Sequence, residues 1–183
     1  MADGAAVRPF ARLLPLVMLA ALGATDVGAQ SALTPGYTES EIKAAFIFHL
    51  MGFVHWQGGR QPSMVCMTQQ DETYRAFGSL LEAKNNQSVV LMATATDEEI
   101  ASCDLLFISS EVEAPIPEYV QEDLLTVGDS AGFAESGGMI EFRRVANRVG
   151  LVVNSNALGA AGLSASSRLL SLATVVSGRV ASP

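Results

Sequence analysis

The sequence predicts an α/β fold: a three-layer α/β/α sandwich with a mostly parallel sheet, completed by a C-terminal β-hairpin plus helix. Three observations carry this expectation. Short strand-like runs, SMVCMT (Ser63 to Thr68), SVVLMATA (Ser88 to Ala95) and CDLLFIS (Cys103 to Ser109), alternate with amphipathic stretches of helical spacing. CDLLFIS shows little apolar–polar alternation, as expected of a strand covered on both faces. After Gly137-Gly138 the pattern changes to two adjacent strand-like runs joined by a short turn.

The elements follow in chain order. Arg8 and Arg12 precede an apolar run from Leu13 to Gly23, and Val27-Gly28-Ala29 supplies small and β-branched residues behind it. Residues 1–29 therefore read as a secretory signal peptide, cleaved after Ala29. The run is shorter than the ~20 residues needed to span a bilayer and contains Pro15, so direct membrane insertion is not expected. Residues 30–38 form a polar leader, and 39–183 a single soluble, exported domain.

Glu39 to Trp56 reads as a helix with Ile42, Ala45, Phe46, His49, Leu50 and Phe53 on its buried stripe. Asp71 to Lys84 gives a second helix with Tyr74, Phe77 and Leu81 inward, and Thr96 with Glu99 forms a capping box that opens a short third one. Pro115 and Pro117 open a helix through Asp123, Leu124 to Val127 is a fourth strand, and Asp129 to Glu135 makes a helical turn or two. Met139 to Arg144 and Arg148 to Asn154 form the hairpin. Ala165 to Val176, with Leu169, Leu172, Ala173 and Val176 at i, i+3, i+4 and i+7, reads as a closing amphipathic helix.

Charge narrows the function classes. The net charge is −8 and the pI about 4.7, which disfavours nucleic acid and anionic membrane surfaces as partners. From Gln30 to Glu141 there are 17 acids and 4 bases, whereas Phe142 to Pro183 holds 5 bases and no acid. Such an asymmetry suits two solvated faces, or steering of a protein partner of complementary charge.

Chemistry-bearing motifs are few. His49 and His55 are the only histidines, six residues apart, which places no metal pair on one helix face; no H-E-x-x-H occurs, and the Gly128-x-x-x-Gly132 run (GDSAG) reads as a turn. Catalytic, metal and cofactor sites are therefore not expected, and His49 reads as a packing residue. Two cysteines cannot make a four-ligand zinc site. In an exported chain Cys66 and Cys103, each at a strand-like run, become a candidate disulfide, with two buried free thiols as the other reading.

IKAAFIFHLMGFVHW (Ile42 to Trp56), CDLLFISS (Cys103 to Ser110), LLTVGDSAGFAESGGMIEF (Leu124 to Phe142) and NRVGLVVNSNALGAAGLSASSRLLSLA (Asn147 to Ala173) resemble, in order and spacing, the YfiR family of bacterial periplasmic proteins. The most specific blocks are KAAF at Lys43, FAESGGMIEF at Phe133 and LSASSRLLSLA at Leu163. The resemblance implies a non-enzymatic periplasmic repressor without cofactors. Its implied partner is the sensory domain of an inner-membrane diguanylate cyclase, or a related sensor protein, whose cyclic di-GMP output and biofilm formation it holds down. Here the family's Asn-Phe-Lys run after KAAF and its Pro after the Trp are replaced by His49, Leu50, Gly52 and Gln57, and the Gly-Asp turn after Cys66 by Gln69-Gln70-Asp71.

The first helix is more apolar than one buried face requires, so the rest of the fold, a second copy in a homodimer, or the sensor domain must cover it. We expect Phe48 and Met51 to supply affinity and Arg168 register at a partner surface. The alternative function is a periplasmic small-molecule binding module, with its cleft at the carboxyl ends of the parallel strands near Gln69, Ser109 and Gly128.

Overall fold

A computed structural model describes residues 36–93, 96–111, 121–146 and 148–180. The expected signal peptide, most of the polar leader, most of the helix opened by Pro115 and the hairpin's Asn147 lie outside the described residues; the end of that expected helix, residues 121–123, is not helical and turns at 122–123.

Helix α1 (Glu39–Phe53) starts at the Thr38 N-cap, where Glu41 completes a capping box, and stops where Val54 turns extended. Strand β1 (Val54–His55) leads to β2 (Met64–Met67), helix α2 (Glu72–Ala83, capped by Asp71), β3 (Val90–Ala93), the short α3 (Asp97–Ile100), β4 (Leu105–Ile108) and β5 (Leu125–Gly128). The hairpin β6 (Ile140–Val145) and β7 (Arg148–Asn154) follows, then α4 (Ser155–Ala160), β8 (Ser164–Ala165), α5 (Ser167–Leu172) and β9 (Ala173–Val176). The main sheet has the order β3-β2-β4-β5-β6-β7-β9; only the β6–β7 pair is antiparallel, and β1 pairs with β8 in a separate ribbon.

The sheet is covered on both faces, as the sequence predicts. Ala44, Ile47, Leu50 and Met51 of α1 and Phe77 and Leu81 of α2 pack on alternate strand residues such as Val65, Met67, Leu105 and Phe107. Opposite them, Ile100 of α3 and Phe133 cover Cys66, Leu106 and Ile108. All four residues of β4 are buried, which accounts for its uniform apolarity. Cys66 and Cys103 form a disulfide with Cα atoms 5.9 Å apart, tying β2 to the entry of β4.

Beside the bridge, Asp104 clamps the same two strands from their amino ends. It accepts the backbone N–H groups of Ser63 (2.6 Å) and Met64 (2.8 Å) and pairs with Arg60. Burial acts to raise this carboxyl's pKa, but the donors from Ser63, Arg60 and Met64 outweigh it and hold the group below its ordinary 3.8. A depressed folded pKa means a stabilising contribution that is present above the unfolded pKa and lost as pH falls through the folded one. Asp104→Asn is therefore expected to unfold at lower urea than the parent at pH 7, with the gap narrowing below about pH 3.8. Parallel urea titrations at pH 7 and pH 3 check this; a gap independent of pH would deny the carboxylate its role.

Three expectations are corrected. The buried side of α1 is turned from the expected stripe: Ala44, Ile47, Leu50 and Met51 are inside, Phe46 and Phe53 are half-buried, and His49 is exposed. A helix apolar nearly all round gives periodicity little to act on. Residues 130–137 form consecutive turns instead of helix. Phe133 anchors them from a slot where a Cβ at either Gly128 or Gly138 would run into its ring, and fully buried Glu141 accepts the Ala134 N–H (3.1 Å). The closing helix ends at Leu172, and Ala173 to Val176 adds to the sheet beside β7. Thr174-Val175-Val176 is β-branched throughout, and the open β7 edge offers it hydrogen bonds.

Candidate functional site

Of the three residues expected at a partner surface, Met51 lies in the core with 8% exposure, so it cannot serve there without local opening. Phe48 is half-buried and Arg168 exposed. The structure links these two through residues read from sequence as one buried stripe. The Lys84 Nζ lies 5.1 Å from the Phe48 ring centre; Phe48 meets His49 edge-on at 5.9 Å; His49 stacks on Phe53 at 5.9 Å; and the Arg168 guanidinium sits 5.6 Å from Phe53.

The result is a row of three rings with a cation at each end, running from the C-terminus of α2 across α1 to the start of α5. Helical spacing produces it, since 49 and 53 are one turn apart and 48 adjoins 49. Ser166 fixes the other end: its side chain caps α5 and its N–H bonds the Phe53 carbonyl at 2.8 Å, setting Arg168 over the ring. Phe53, His49 and Lys84 were missed as surface residues; the signal was an α1 with more apolar faces than the sheet can cover. Beyond Arg168 the apolar surface continues through Leu170, Leu172 and Val175.

A second, polar site lies where α/β folds collect ligands, at the carboxyl ends of the parallel strands. A cleft of about 380 Å³ is lined there by Lys43, Asp71, Thr73, Ser109, Glu111 and Asp129. Of the expected residues only Ser109 lines it; Gln69 and Gly128 do not. Lys43 reaches Asp129 (2.7 Å) and Glu39 (2.8 Å), and Asp129 also accepts the Ser110 N–H (2.5 Å). Burial works to lower the Lys43 pKa, yet the hydrogen bonds it donates to Asp129 and Glu39 raise it on balance. Its charge is thus committed to joining α1 to the end of β5, which gives KAAF a structural meaning. Among the described residues no group of three or more His, Cys, Asp or Glu could hold a metal ion, and no helix is long and apolar enough to cross a membrane.

No curated protein matches this sequence. A family model described as YfiR/HmsC-like matches residues 40–174, a span that takes in every element from α1 into β9 and both ends of the aromatic row. With the match covering most of the chain, and the KAAF, FAESGGMIEF and LSASSRLLSLA blocks all accounted for in one fold, the protein belongs to the YfiR/HmsC-like family.

Proposed function

We propose that this chain is a periplasmic regulator that binds and represses the sensory domain of an inner-membrane diguanylate cyclase or a related membrane sensor, lowering cyclic di-GMP signalling. The observation that carries the reading is the unbroken Lys84–Phe48–His49–Phe53–Arg168 row. Aromatic rings with Arg at their margin are the composition of interface hot spots, and two cations at the ends favour an acidic partner face. Family membership supports the regulatory class, and the first 29 residues support export.

Phe48→Ser and Arg168→Glu, each confirmed folded by circular dichroism, are expected to weaken binding of the cognate sensor domain by about tenfold or more. Titration of the purified domains checks this, and unchanged affinity in both variants removes the row as the docking surface. One observation favours a second reading, a small-molecule binding module: an apolar groove of about 830 Å³ between α1 and α2, lined by Ile42, Ala45, Phe48, His49, Ala76 and Leu80 among others. Small molecules retained from periplasmic extract and identified by mass spectrometry would favour it.

A further inference from the structure

Strand β9 pairs with β7 along one side and, among the described residues, with no strand along the other. Its consecutive residues Thr174 and Val175 point to opposite faces, and both are exposed. The strand therefore projects beyond the helical cover on both sides. Leu172 is 65% exposed, Val175 48% and Val180 44%. From Leu169 to Gly178 there is no charge and no Pro, so the edge lacks the residues that normally discourage pairing with another chain. A bare apolar edge of this kind offers free backbone N–H and C=O groups to an incoming strand.

Charge identifies the visitor. Arg168 and Arg179 bracket the uncharged segment, neither guanidinium is paired with a carboxylate among the described residues, and no acid follows Glu141. Two copies joined β9 to β9 would bring four arginines together. A β9 joined to another copy's β3, whose strand is followed by Asp97, Glu98 and Glu99, makes a head-to-tail contact, which runs on from copy to copy as a filament unless its rotation closes a ring. A strand from a different protein meets neither objection.

We infer that β9 accepts an added β-strand from a protein partner, an extended β-branched segment flanked by carboxylates that pair with Arg168 and Arg179. This rests on the regulatory reading above and specifies how a sensor domain would be held; the row on α1 and this edge meet at Arg168.

The test needs no cyclase. The probe is a labelled nine-residue peptide of alternating Val and Thr with two Glu at each end, compared with the same peptide ending in Lys. The Glu form is expected to bind the whole protein about tenfold more tightly at low salt, and to slow amide hydrogen exchange across Ala173 to Val176. Val175→Lys, an exposed position where the fold should tolerate the change, abolishes both effects, and the Arg168→Glu/Arg179→Glu pair reverses the peptide preference. Equal binding of the two peptides, no binding, or protection elsewhere overturns the inference. So does slow exchange at 173–176 that depends on protein concentration without peptide, which would mean a second copy holds the edge. Peptide addition without sensor-domain binding would sink the cyclase reading alone, whereas sensor-domain binding without peptide addition would sink strand addition alone.

Discussion

Replacing Arg143 by Met is expected to destabilise the fold by about 3 kcal/mol, because the change strands a carboxylate inside the protein. Glu141 and Arg143 are two apart on β6, so their side chains leave the same face of the sheet. Glu141 is fully buried; its oxygens take the Arg143 Nε at 2.7 Å and Nη2 at 3.0 Å, with the Ala134 N–H as the remaining donor. Arg143 also grips Glu135 with contacts of 2.7 and 2.9 Å, which holds the Glu135 pKa below its ordinary range through the guanidinium hydrogen bond. The guanidinium side is partly open to water, which places the expected loss at the lower end for a broken buried pair.

Two companion variants separate the causes. Glu135 is nearly half exposed, so Glu135→Gln should cost about 1 kcal/mol or less. Glu141→Leu with Arg143→Met removes both charges and should recover much of the loss, since an apolar pair is often as stable as the ion pair it replaces. Urea denaturation of the three proteins decides it. If Arg143→Met behaved like Glu135→Gln, the buried carboxylate would have to be satisfied by other means.

The alternation of strands and helices was legible because β2 to β5 are brief uncharged runs between turn residues, and because the Thr96–Glu99 capping box is readable from residue type. The disulfide was legible from a second kind of information, the redox state of the compartment a leader peptide implies. What stayed hidden depended on contacts distant in sequence. The i, i+2 spacing of Glu141 and Arg143 is plain in MIEFRR, yet nothing local says that residues 130–138 fold over it or that Phe133 fills a slot bounded by two glycines. Asn154 likewise caps α4 while its amide holds the Ala134 and Arg179 carbonyls, 20 and 25 residues away. The surface row was half legible: Phe48 and Arg168 stood out as unneeded by the core, while His49 and Phe53 were assigned inward because an all-round apolar helix does not state its orientation.

Removing the Cys66–Cys103 bridge is expected to cost roughly 2–4 kcal/mol, through a denatured chain freed of a closed loop with a sequence separation of 37 residues. Alanine is the informative replacement. Cys66 is wholly buried among Leu106, Ile108 and Phe133, where a serine hydroxyl without a partner would add a cost of its own, about 1–3 kcal/mol, and confuse the two effects. In the Cys66→Ala/Cys103→Ala protein the β2–β4 pairing and the Asp104 clamp persist, so the native structure should be retained. The melting temperature should then fall by about 4–16 °C, and the denaturant m-value should rise because the unfolded chain expands further without its cross-link. A fall in stability at constant m would place the loss in native packing around Cys66. No fall at all, with the parent protein equally indifferent to reductant, would mean that Asp104 and the strand ladder hold this junction without the bridge.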